Sequence, residues 1–335
     1  VYNSKEKFYT VLTQSTSPNI FFGYLNLGYL EMAKGNMSQA KFYLNAALLA
    51  RPDQPFIYHA LAFYAAKEER FEEAITHLKK AISLDEDDDS YRLGLGSLLI
   101  KRGRYREAIV ILEEAQKLGM IFSGHWELAT DPLSGEEIPE VEREERAMPY
   151  LEKIIASFPN LKIIVEHATT KRMIEFVKNA PANVASTLTV HHALLTYNRV
   201  YHCDGINPFN YCKPVAKFVY DRKAIVEAMI SGNPKFFFGS DSAPHLPERK
   251  MGQNPAAGIF TPAEVALTML TEIFDSFGAL SKLENFISLS GAEFYDLPLN
   301  KDFITLRRKK WTVPKDYNGI VPFMAGHELE WKIVK

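Results

Sequence analysis

The fold of the larger part of this chain is decided by the stretch Phe236-Phe237-Phe238-Gly239-Ser240-Asp241-Ser242-Ala243-Pro244-His245. Three consecutive phenylalanines predict a short strand that is buried on both faces, and the Gly-Ser pair after them ends it. Asp241 and His245 then follow at the C-terminal tip of the strand. In a parallel α/β barrel this tip is where the chemistry takes place. An Asx-type turn followed by an exposed histidine is the alternative interpretation of the same residues.

Three further segments have the apolar composition of buried strands, and a histidine follows each of them. They are residues 120–123 before His125, residues 161–165 before His167, and residues 184–190 before His191 and His192. Helical patterns separate the segments, and this alternation predicts a parallel α/β architecture. Histidine and aspartate at neighbouring strand tips are how barrel hydrolases build a metal site. For His191 and His192 we expect only a polar loop position.

The first third of the chain repeats with a period of 34 residues. Alanines keep this spacing in two columns, which are Ala40, Ala74 and Ala108, and Ala47, Ala81 and Ala115. The period and the alternation of small and large residues resemble tetratricopeptide repeats, in which two antiparallel helices form each unit. We therefore predict three units, residues 21–54, 55–88 and 89–118, that stack into an all-α solenoid. A generic amphipathic helical bundle is the alternative.

A repeat module of this kind implies a peptide or protein ligand in its groove. The first helix of each unit would line that groove, with Asn26, Tyr58 and Arg92 as examples, although for Tyr58 we favour a packing role. The acidic run at residues 85–89 is interpreted as a solvated turn and helix start, not as a metal site.

The composition excludes several other classes of function. A net charge of -2 gives no electrostatic basis for binding nucleic acid or an anionic membrane. No apolar run approaches the roughly 18 residues of a membrane span. Cys203 and Cys212 are the only cysteines in the sequence, which favours a reducing cytoplasm over a disulfide scaffold. The first residue is Val rather than Met, so we expect a processed, truncated or partial reading frame.

From about residue 120 onward the sequence resembles dihydroorotase of the single-function bacterial and fungal type, in the metal-dependent amidohydrolase superfamily. The motifs that carry the resemblance are Glu166-His167-Ala168-Thr169-Thr170, Asn210-Tyr211-Cys212-Lys213-Pro214, Phe238 to His245, Ala257-Gly258, Val321-Pro322-Phe323, Ala325-Gly326 and Trp331. The resemblance implies a TIM-type barrel, two zinc ions, and interconversion of carbamoyl aspartate and dihydroorotate in pyrimidine biosynthesis.

The same resemblance implies roles for individual residues. His125 and His167 match the histidines that hold the second zinc, and Asp241 matches the aspartate that ligates the first zinc and shuttles a proton. The substrate would be bound by three residues: the side chain of His245 and the backbones of Lys213 and Ala257. At His125 the family has His-Gly-Glu where this chain has Gly124-His125-Trp126-Glu127. A change of phase at a strand tip can turn a ligand away from the site.

The family barrel has eight strands, and the resemblance covers about the last four. The His-x-His pair of the first strand, with the substrate arginine and asparagine near it, and the carbamylated lysine of the fourth strand have no counterpart in the sequence. His59 and His77 lie in the repeats and do not form such a pair. We predict a multidomain chain with a lead-in at 1–20, three repeats at 21–119 and an incomplete barrel at 120–335.

Three hypotheses follow for the function. The chain is a dihydroorotase-like zinc enzyme that is inactive alone and active with a complementing half-barrel or a second copy. The second hypothesis is that the chain is a repeat-based interaction or chaperone-like protein that carries a non-catalytic enzyme remnant. The third is that the join between the two parts is an artefact of fusion.

Overall fold

The computed structural model describes residues 20–334 except Gly103, Leu118, Pro132 and Leu133. The chain divides into two compact units between Met120 and Ile121. The predicted lead-in lies outside the described residues apart from Ile20, where the first helix begins. In the part of the chain that is described, no helix is both long and apolar enough to cross a membrane.

The first unit consists of six helices in three antiparallel pairs. They are α1 (Ile20–Lys34), α2 (Met37–Ala50), α3 (Pro55–Lys67), α4 (Phe71–Leu84), α5 (Asp89–Lys101) and α6 (Tyr105–Lys117). The second helices of the pairs begin 34 residues apart, so the predicted all-α repeat architecture is confirmed.

Close helix crossings explain the alanine columns of the sequence. Ala40, Ala74 and Ala81 have no exposed surface, whereas the side chain of Ala115 lies outside the described set. A Cβ atom at Gly28 would come within 2.6 Å of the Leu44 side chain. Small residues on one helix therefore make room for large residues on its neighbour, as the repeat pattern predicts.

The three groove residues named from the sequence are all engaged within the first unit. The Asn26 amide donates to the carbonyl of Phe22 at 2.7 Å, in its own helix. The Tyr58 hydroxyl donates to the carbonyl of Pro52 at 3.0 Å, which fits the expected packing role. Arg92 is buried and lies 3.2 Å from a carboxylate oxygen of Glu114.

The second unit alternates strands and helices before a final hairpin. Its strands are β1 (Ile121–Gly124), β2 (Lys162–Val165), β3 (Val184–Leu188), β4 (Tyr201–His202), β5 (Gly205–Ile206), β6 (Phe236–Phe238), β7 (Thr305–Thr312) and β8 (Glu328–Val334). Its α-helices are α7 (Arg143–Ser157), α8 (Lys171–Asn179), α9 (Val190–Leu194), α10 (Tyr197–Val200), α11 (Val219–Ile230), α12 (Pro247–Lys250), α13 (Ala263–Ser276) and α14 (Ser290–Phe294). Short 3₁₀ turns span Pro208–Asn210 and Leu280–Lys282, and a π-helical turn spans Asn285–Leu289.

Four strands form a parallel sheet in the order β1-β2-β3-β6. This is the predicted series of four strands, so the second unit is an incomplete α/β barrel. Phe236 and Phe237 are 3% and 2% exposed, which confirms burial on both faces of β6. On one face Phe237 joins the buried residues Ile164 and Ala185, with Phe294 packed against them. The carboxyl ends of the four strands therefore share one edge of the sheet.

Two antiparallel hairpins were not predicted from the sequence. Strands β4 and β5 pair through Tyr201 with Ile206 and His202 with Gly205. Strands β7 and β8 pair near the end of the described chain, with an irregularity between Arg308 and Trp311. Strand β7 is largely exposed and shows no clean alternation of apolar and polar residues.

Candidate metal and substrate site

The side chains predicted to bind metal follow three of the strand tips. His125 comes directly after β1, His167 lies two residues beyond β2, and Asp241 lies three residues beyond β6. The backbone φ angles of His167 and Asp241 are +41° and +40°. Residues other than glycine seldom adopt this left-handed conformation, and strained backbone of this kind clusters at functional sites.

His125 and His167 face each other with the spacing of two zinc ligands. The Nδ1 atom of His125 lies 3.4 Å from the Nε2 atom of His167. Zinc–nitrogen bonds of about 2.0–2.1 Å in a tetrahedral arrangement place two nitrogens about 3.3–3.4 Å apart. The residue next to His125, Trp126, is buried and donates to the carbonyl of Ile164 at 3.3 Å. The tryptophan thus packs into the core while His125 turns toward His167.

A carboxylate fixes the orientation of the His125 ring. Its Nε2 atom donates to Glu127 at 2.8 Å, so the Nδ1 lone pair is free to face His167. Burial would raise the pKa of Glu127, but the bond to His125 and the charge of Lys217, 3.8 Å away, together lower the pKa. A histidine whose second nitrogen donates to a carboxylate is the usual arrangement behind a metal ligand.

The His167 ring is held in the neutral form that a metal requires. Burial, together with the neighbouring His125, lowers the pKa of His167 to about 3. The Nδ1 atom of His167 is buried and has no hydrogen-bond partner among the described residues. Since metals bind neutral imidazole, this side chain can ligate at neutral pH without first losing a proton.

A hydroxyl-carboxylate brace holds the tip that carries His167. The His167 amide donates to the Thr187 hydroxyl at 2.7 Å, and that hydroxyl donates to Glu166 at 2.6 Å. The Ser123 hydroxyl also contacts the Glu166 carboxylate. Strands β1, β2 and β3 are therefore tied together at the edge where the metal ligands lie. A Cβ atom at Gly239 would lie 2.6 Å from that of Thr187, so only glycine fits beside the brace.

Asp241 combines partial exposure with a shifted pKa. The pKa of its carboxyl is raised to about 6, mainly by burial and also by the charge of Glu166, while the charge of His125 opposes the shift. The Oδ2 atom lies 3.8 Å from Nε2 of His191. A carboxyl with a pKa near 6 can accept and release protons close to neutral pH.

The expectation for His191 and His192 is wrong, because both are buried and lie on helix α9. Strand β3 ends at Leu188, and the Thr189 hydroxyl caps α9 by accepting from the His192 amide at 3.2 Å. His192 donates from Nε2 to the carbonyl of Pro214 at 2.9 Å, and its Nδ1 bonds the Thr189 hydroxyl at 2.8 Å. The apolar strand therefore runs straight into a capped, buried helix rather than into a loop.

His191, His192 and Cys212 form a compact buried cluster of possible metal-binding atoms. Both nitrogens of His192 already have hydrogen-bond partners, and the Cys212 thiol donates to the carbonyl of Pro214 at 3.3 Å. Burial raises the pKa of Cys212 to about 12, which disfavours the thiolate that metals bind. We therefore interpret this cluster as structural.

The residues predicted to bind substrate lie on two neighbouring segments. His245 donates from Nε2 to the carbonyl of Ala257 at 3.1 Å, so these two are in direct contact. The Lys213 side chain extends toward Glu140, with its ammonium 3.8 Å from a carboxylate oxygen. The amide of Gly258 donates to the carbonyl of Tyr211 at 2.9 Å, which joins the segment of Ala257 to that of Lys213.

The sequence pattern alone assigns no role to some residues that orient the metal ligands. Glu127 could have been found, because it lies two residues after His125 in a His-x-Glu pattern. Thr187 could not, because a threonine in a strand is typical of a structural position.

Comparison with known proteins agrees with both parts of this description. Models of the tetratricopeptide repeat match residues 23–54 and 65–118. The dihydroorotase of Shewanella sp. strain ANA-3 is 42% identical over 228 residues, which cover 66% of this chain and 64% of that protein. The crystal structure of dihydroorotase from Saccharomyces cerevisiae in complex with 5-fluoroorotic acid is 33% identical, with a TM-score of 0.64, over 70% of this chain and 68% of that one.

The C-terminal part of this chain belongs to the dihydroorotase family. The dihydroorotase of Campylobacter jejuni is a further structural relative, with 34% identity and a TM-score of 0.59 over 69% of this chain and 65% of that one. The chain spans about 64% of the length of the curated dihydroorotases that it matches. The amidohydrolase superfamily to which dihydroorotase belongs is metal-dependent, and the histidine pair described above fits a metal ion.

Proposed function

We propose that the second unit forms one wall of a zinc-dependent dihydroorotase site, for the reversible cyclisation of carbamoyl aspartate to dihydroorotate. The observation that carries the proposal is the 3.4 Å separation of the His125 and His167 nitrogens, with Glu127 bonded to the far side of His125. This nitrogen spacing, combined with a carboxylate bonded to the second ring nitrogen, is typical of metal-binding histidines and not of histidines that only pack.

Within this proposal each residue has a distinct task. His125 and His167 would hold one zinc ion, and Asp241 would ligate a second and move the proton. Bound zinc would polarise the substrate's amide carbonyl as a Lewis acid. The half-exposed Asp241 carboxyl, with its pKa raised to about 6 by burial, suits a group that takes up a proton in one step and returns it in the next.

The substrate would be held by a carboxylate contact and by main-chain groups. His245 provides the side chain that binds the carboxylate, and the backbones of Lys213 and Ala257 provide the other contacts. The joining of these segments through Gly258 and Tyr211 supports the assignment, because substrate contacts must be held in a fixed geometry.

We further propose that this sequence alone holds fewer than two zinc ions and needs a complementing half for turnover. The His-x-His pair and the carbamylated lysine of the family have no counterpart in it. The complement would be a separate half-barrel or a second copy of the chain. The two free thiols, Cys203 and Cys212, support a reducing, cytoplasmic location.

Zinc titration of the purified chain tests the metal assignment. We expect binding that His167→Ala weakens at least 100-fold and Glu127→Gln weakens about 10- to 100-fold. Replacement of zinc by cobalt gives an absorption spectrum that reports the ligand geometry directly. His202→Ala is the matched control, because His202 is exposed on β4. Equal affinity in the wild type and in His167→Ala would refute the assignment.

A second candidate function belongs to the repeats, and exposed aromatic rings favour it. Phe22 on α1 stacks on Phe56 of α3, with centroids 5.6 Å apart, and these residues occupy the same repeat position. Tyr29 and Phe63 share another repeat position and are exposed, as is Phe22, whereas Phe56 is half-buried. Phe63 borders a cavity of about 250 Å³. We propose that this aromatic strip binds a peptide or protein segment that bears apolar side chains.

Peptide selection on the whole chain tests this second function. A displayed peptide library should yield apolar or aromatic sequences on the wild type and lose them on Phe63→Glu. Phe277→Glu, which changes an exposed ring in the second unit, is the control. Equal enrichment on the wild type and on Phe63→Glu would show that the strip is not a binding surface.

A further inference from the structure

Lys250 is a buried lysine whose ammonium is used entirely by main-chain carbonyls. The residue is 3% exposed and lies at the end of the short helix α12. Its Nζ atom donates to the carbonyls of Tyr211 at 3.0 Å, Ala256 at 2.9 Å and Gly258 at 2.6 Å. An ammonium group has three donors, so all of them are engaged.

The three acceptors belong to the two segments that carry the proposed main-chain contacts to substrate. Tyr211 is two residues before Lys213, and Ala256 and Gly258 flank Ala257. The amide of Gly258 reaches the same Tyr211 carbonyl at 2.9 Å. A single cation therefore ties both segments to each other at the level of the backbone.

The choice of carbonyl acceptors has a physical meaning. A carboxylate partner would neutralise Lys250 but would fix only another side chain. Carbonyl acceptors instead fix the conformation of the peptide units on either side of them, because each bond restrains a backbone dipole. Charged donors also form stronger hydrogen bonds than neutral ones. Burial lowers the pKa of Lys250 to about 8, so the ammonium form still prevails at pH 7.

We propose that Lys250 is a positioning residue for substrate binding, which holds the backbones of Lys213 and Ala257 at the spacing that the substrate requires. This inference rests on the proposed function. Lys250 does not touch the metal ligands in the described structure, so its effect should fall on the substrate and not on zinc.

The variant Lys250→Met tests the proposal, because methionine keeps the apolar stem and removes the three donors. We expect at least tenfold weaker binding of dihydroorotate, measured by calorimetry at saturating zinc, with zinc affinity unchanged within twofold. Lys250→Gln keeps a shorter donor and should fall between the wild type and Lys250→Met. If Lys250→Met does not fold, the comparison of wild type with Lys250→Gln decides the question by the same criterion.

Lys235→Met is the matched control, since the Lys235 ammonium also donates to main-chain carbonyls, those of Val177 and Ala180, at the end of α8. It should leave dihydroorotate affinity unchanged. Amide exchange adds a readout that needs no ligand: Gly258 should exchange at least tenfold faster in Lys250→Met than in the wild type and the control.

The outcomes separate the two levels of the proposal. Equal dihydroorotate affinity in the wild type and Lys250→Met overturns the role of Lys250 alone. Parallel loss of zinc and dihydroorotate affinity shows a general structural role and also overturns it. A wild type that binds zinc and no dihydroorotate, even with a complementing half-barrel present, removes the substrate assignment, and the positioning role of Lys250 falls with it.

Discussion

Gly258 has a backbone conformation that few residues adopt, and it packs closely against Ala243 and His245. Its φ angle is +145°, and a Cβ atom would lie 2.6 Å from that of Ala243 and 3.0 Å from the His245 ring. We expect Gly258→Ala to lower the free energy of unfolding by about 2 kcal/mol and to weaken dihydroorotate binding by displacing His245. Gly278→Ala is the control, because Gly278 also has positive φ but open space around it. Equal effects of the two variants on dihydroorotate affinity would contradict the prediction.

Glu144 is a buried carboxyl whose ionisation should make stability depend on pH. It accepts from the Thr169 amide at 2.9 Å and also contacts the Thr169 hydroxyl. Burial raises the pKa of Glu144 to about 7, from a usual value of 4.5. Between these two pH values the unfolded chain loses the proton while the folded chain keeps it. The contribution of Glu144 to stability therefore decreases as pH rises from 4.5 to 7 and is constant above that.

The variant Glu144→Gln should remove this dependence. The difference in free energy of unfolding between Glu144→Gln and wild type should shift in favour of the variant by on the order of 3 kcal/mol as the pH rises from 4.5 to 8. Denaturant titration at each pH measures this difference. Glu152→Gln, on the exposed face of the same helix, controls for the removal of one carboxyl from α7. A pH-independent difference between wild type and Glu144→Gln would contradict the assigned direction.

At the scale of elements, the Thr189 cap of α9 holds the buried His192 in place. The Thr189 hydroxyl bonds both the amide and the ring of His192. Thr189→Ala removes a helix cap, at about 1 kcal/mol, and leaves a buried ring nitrogen without a partner, at about 1–3 kcal/mol. We expect a total loss of about 2–4 kcal/mol in the free energy of unfolding.

Thr170→Ala provides the comparison for this prediction. Thr170 caps α8 by accepting from the Met173 amide at 3.1 Å, with no histidine involved. Its loss should cost about 1 kcal/mol, and Thr189→Ser should restore most of the stability lost in Thr189→Ala. A cost for Thr189→Ala no larger than that for Thr170→Ala would show that the His192 bond contributes nothing.

The elements that the sequence predicts well are those whose pattern is local. The apolar runs before His125, His167 and Asp241 predict β1, β2 and β6, because a buried strand needs continuous apolar residues. The 34-residue period predicts α1 to α6, because each unit repeats one local pattern of small and large residues. The sequence did not predict strand β7, because its residues are largely charged and exposed. Its strand conformation depends on pairing with β8, some twenty residues away.

The site residues divide in the same way into those that a local pattern predicts and those that depend on distant contacts. The residue types at the strand tips and the family resemblance indicate His125, His167 and Asp241. The supporting residues depend on contacts between segments that are distant in sequence: Thr187 on β3 bonds Glu166 at the tip of β2, and Lys250 bonds Tyr211, 39 residues away. No local pattern encodes such contacts, so a single sequence could not supply them.

At the scale of the whole molecule, the described sheet has two edges. In the described residues, β1 and β6 each pair with a sheet strand on one side, and unpaired parallel edges favour association with further strands. We expect the purified chain to show no enzyme-like hydrolysis of dihydroorotate. Addition of a separately produced first half of a bacterial dihydroorotase barrel should restore turnover and raise the zinc content toward two ions per complex.

Asp241→Asn should abolish the restored turnover, because the complement does not supply this carboxylate. Turnover by the chain alone that rises steeply with its own concentration would instead identify a second copy as the complement. Full turnover at low concentration, with two zinc ions per chain, would contradict the need for any complement.

The left-handed backbone at His167 and Asp241 also bears on how these two positions can change during evolution. Histidine, aspartate and asparagine are the non-glycine residues that enter this conformation most readily. Two of these three also bind zinc well. Saturation mutagenesis should therefore find few replacements at either position that fold well, with β-branched residues least tolerated even where metal binding is not under selection. The backbone itself would then preserve the chemical character of the site after selection for catalysis had been relaxed.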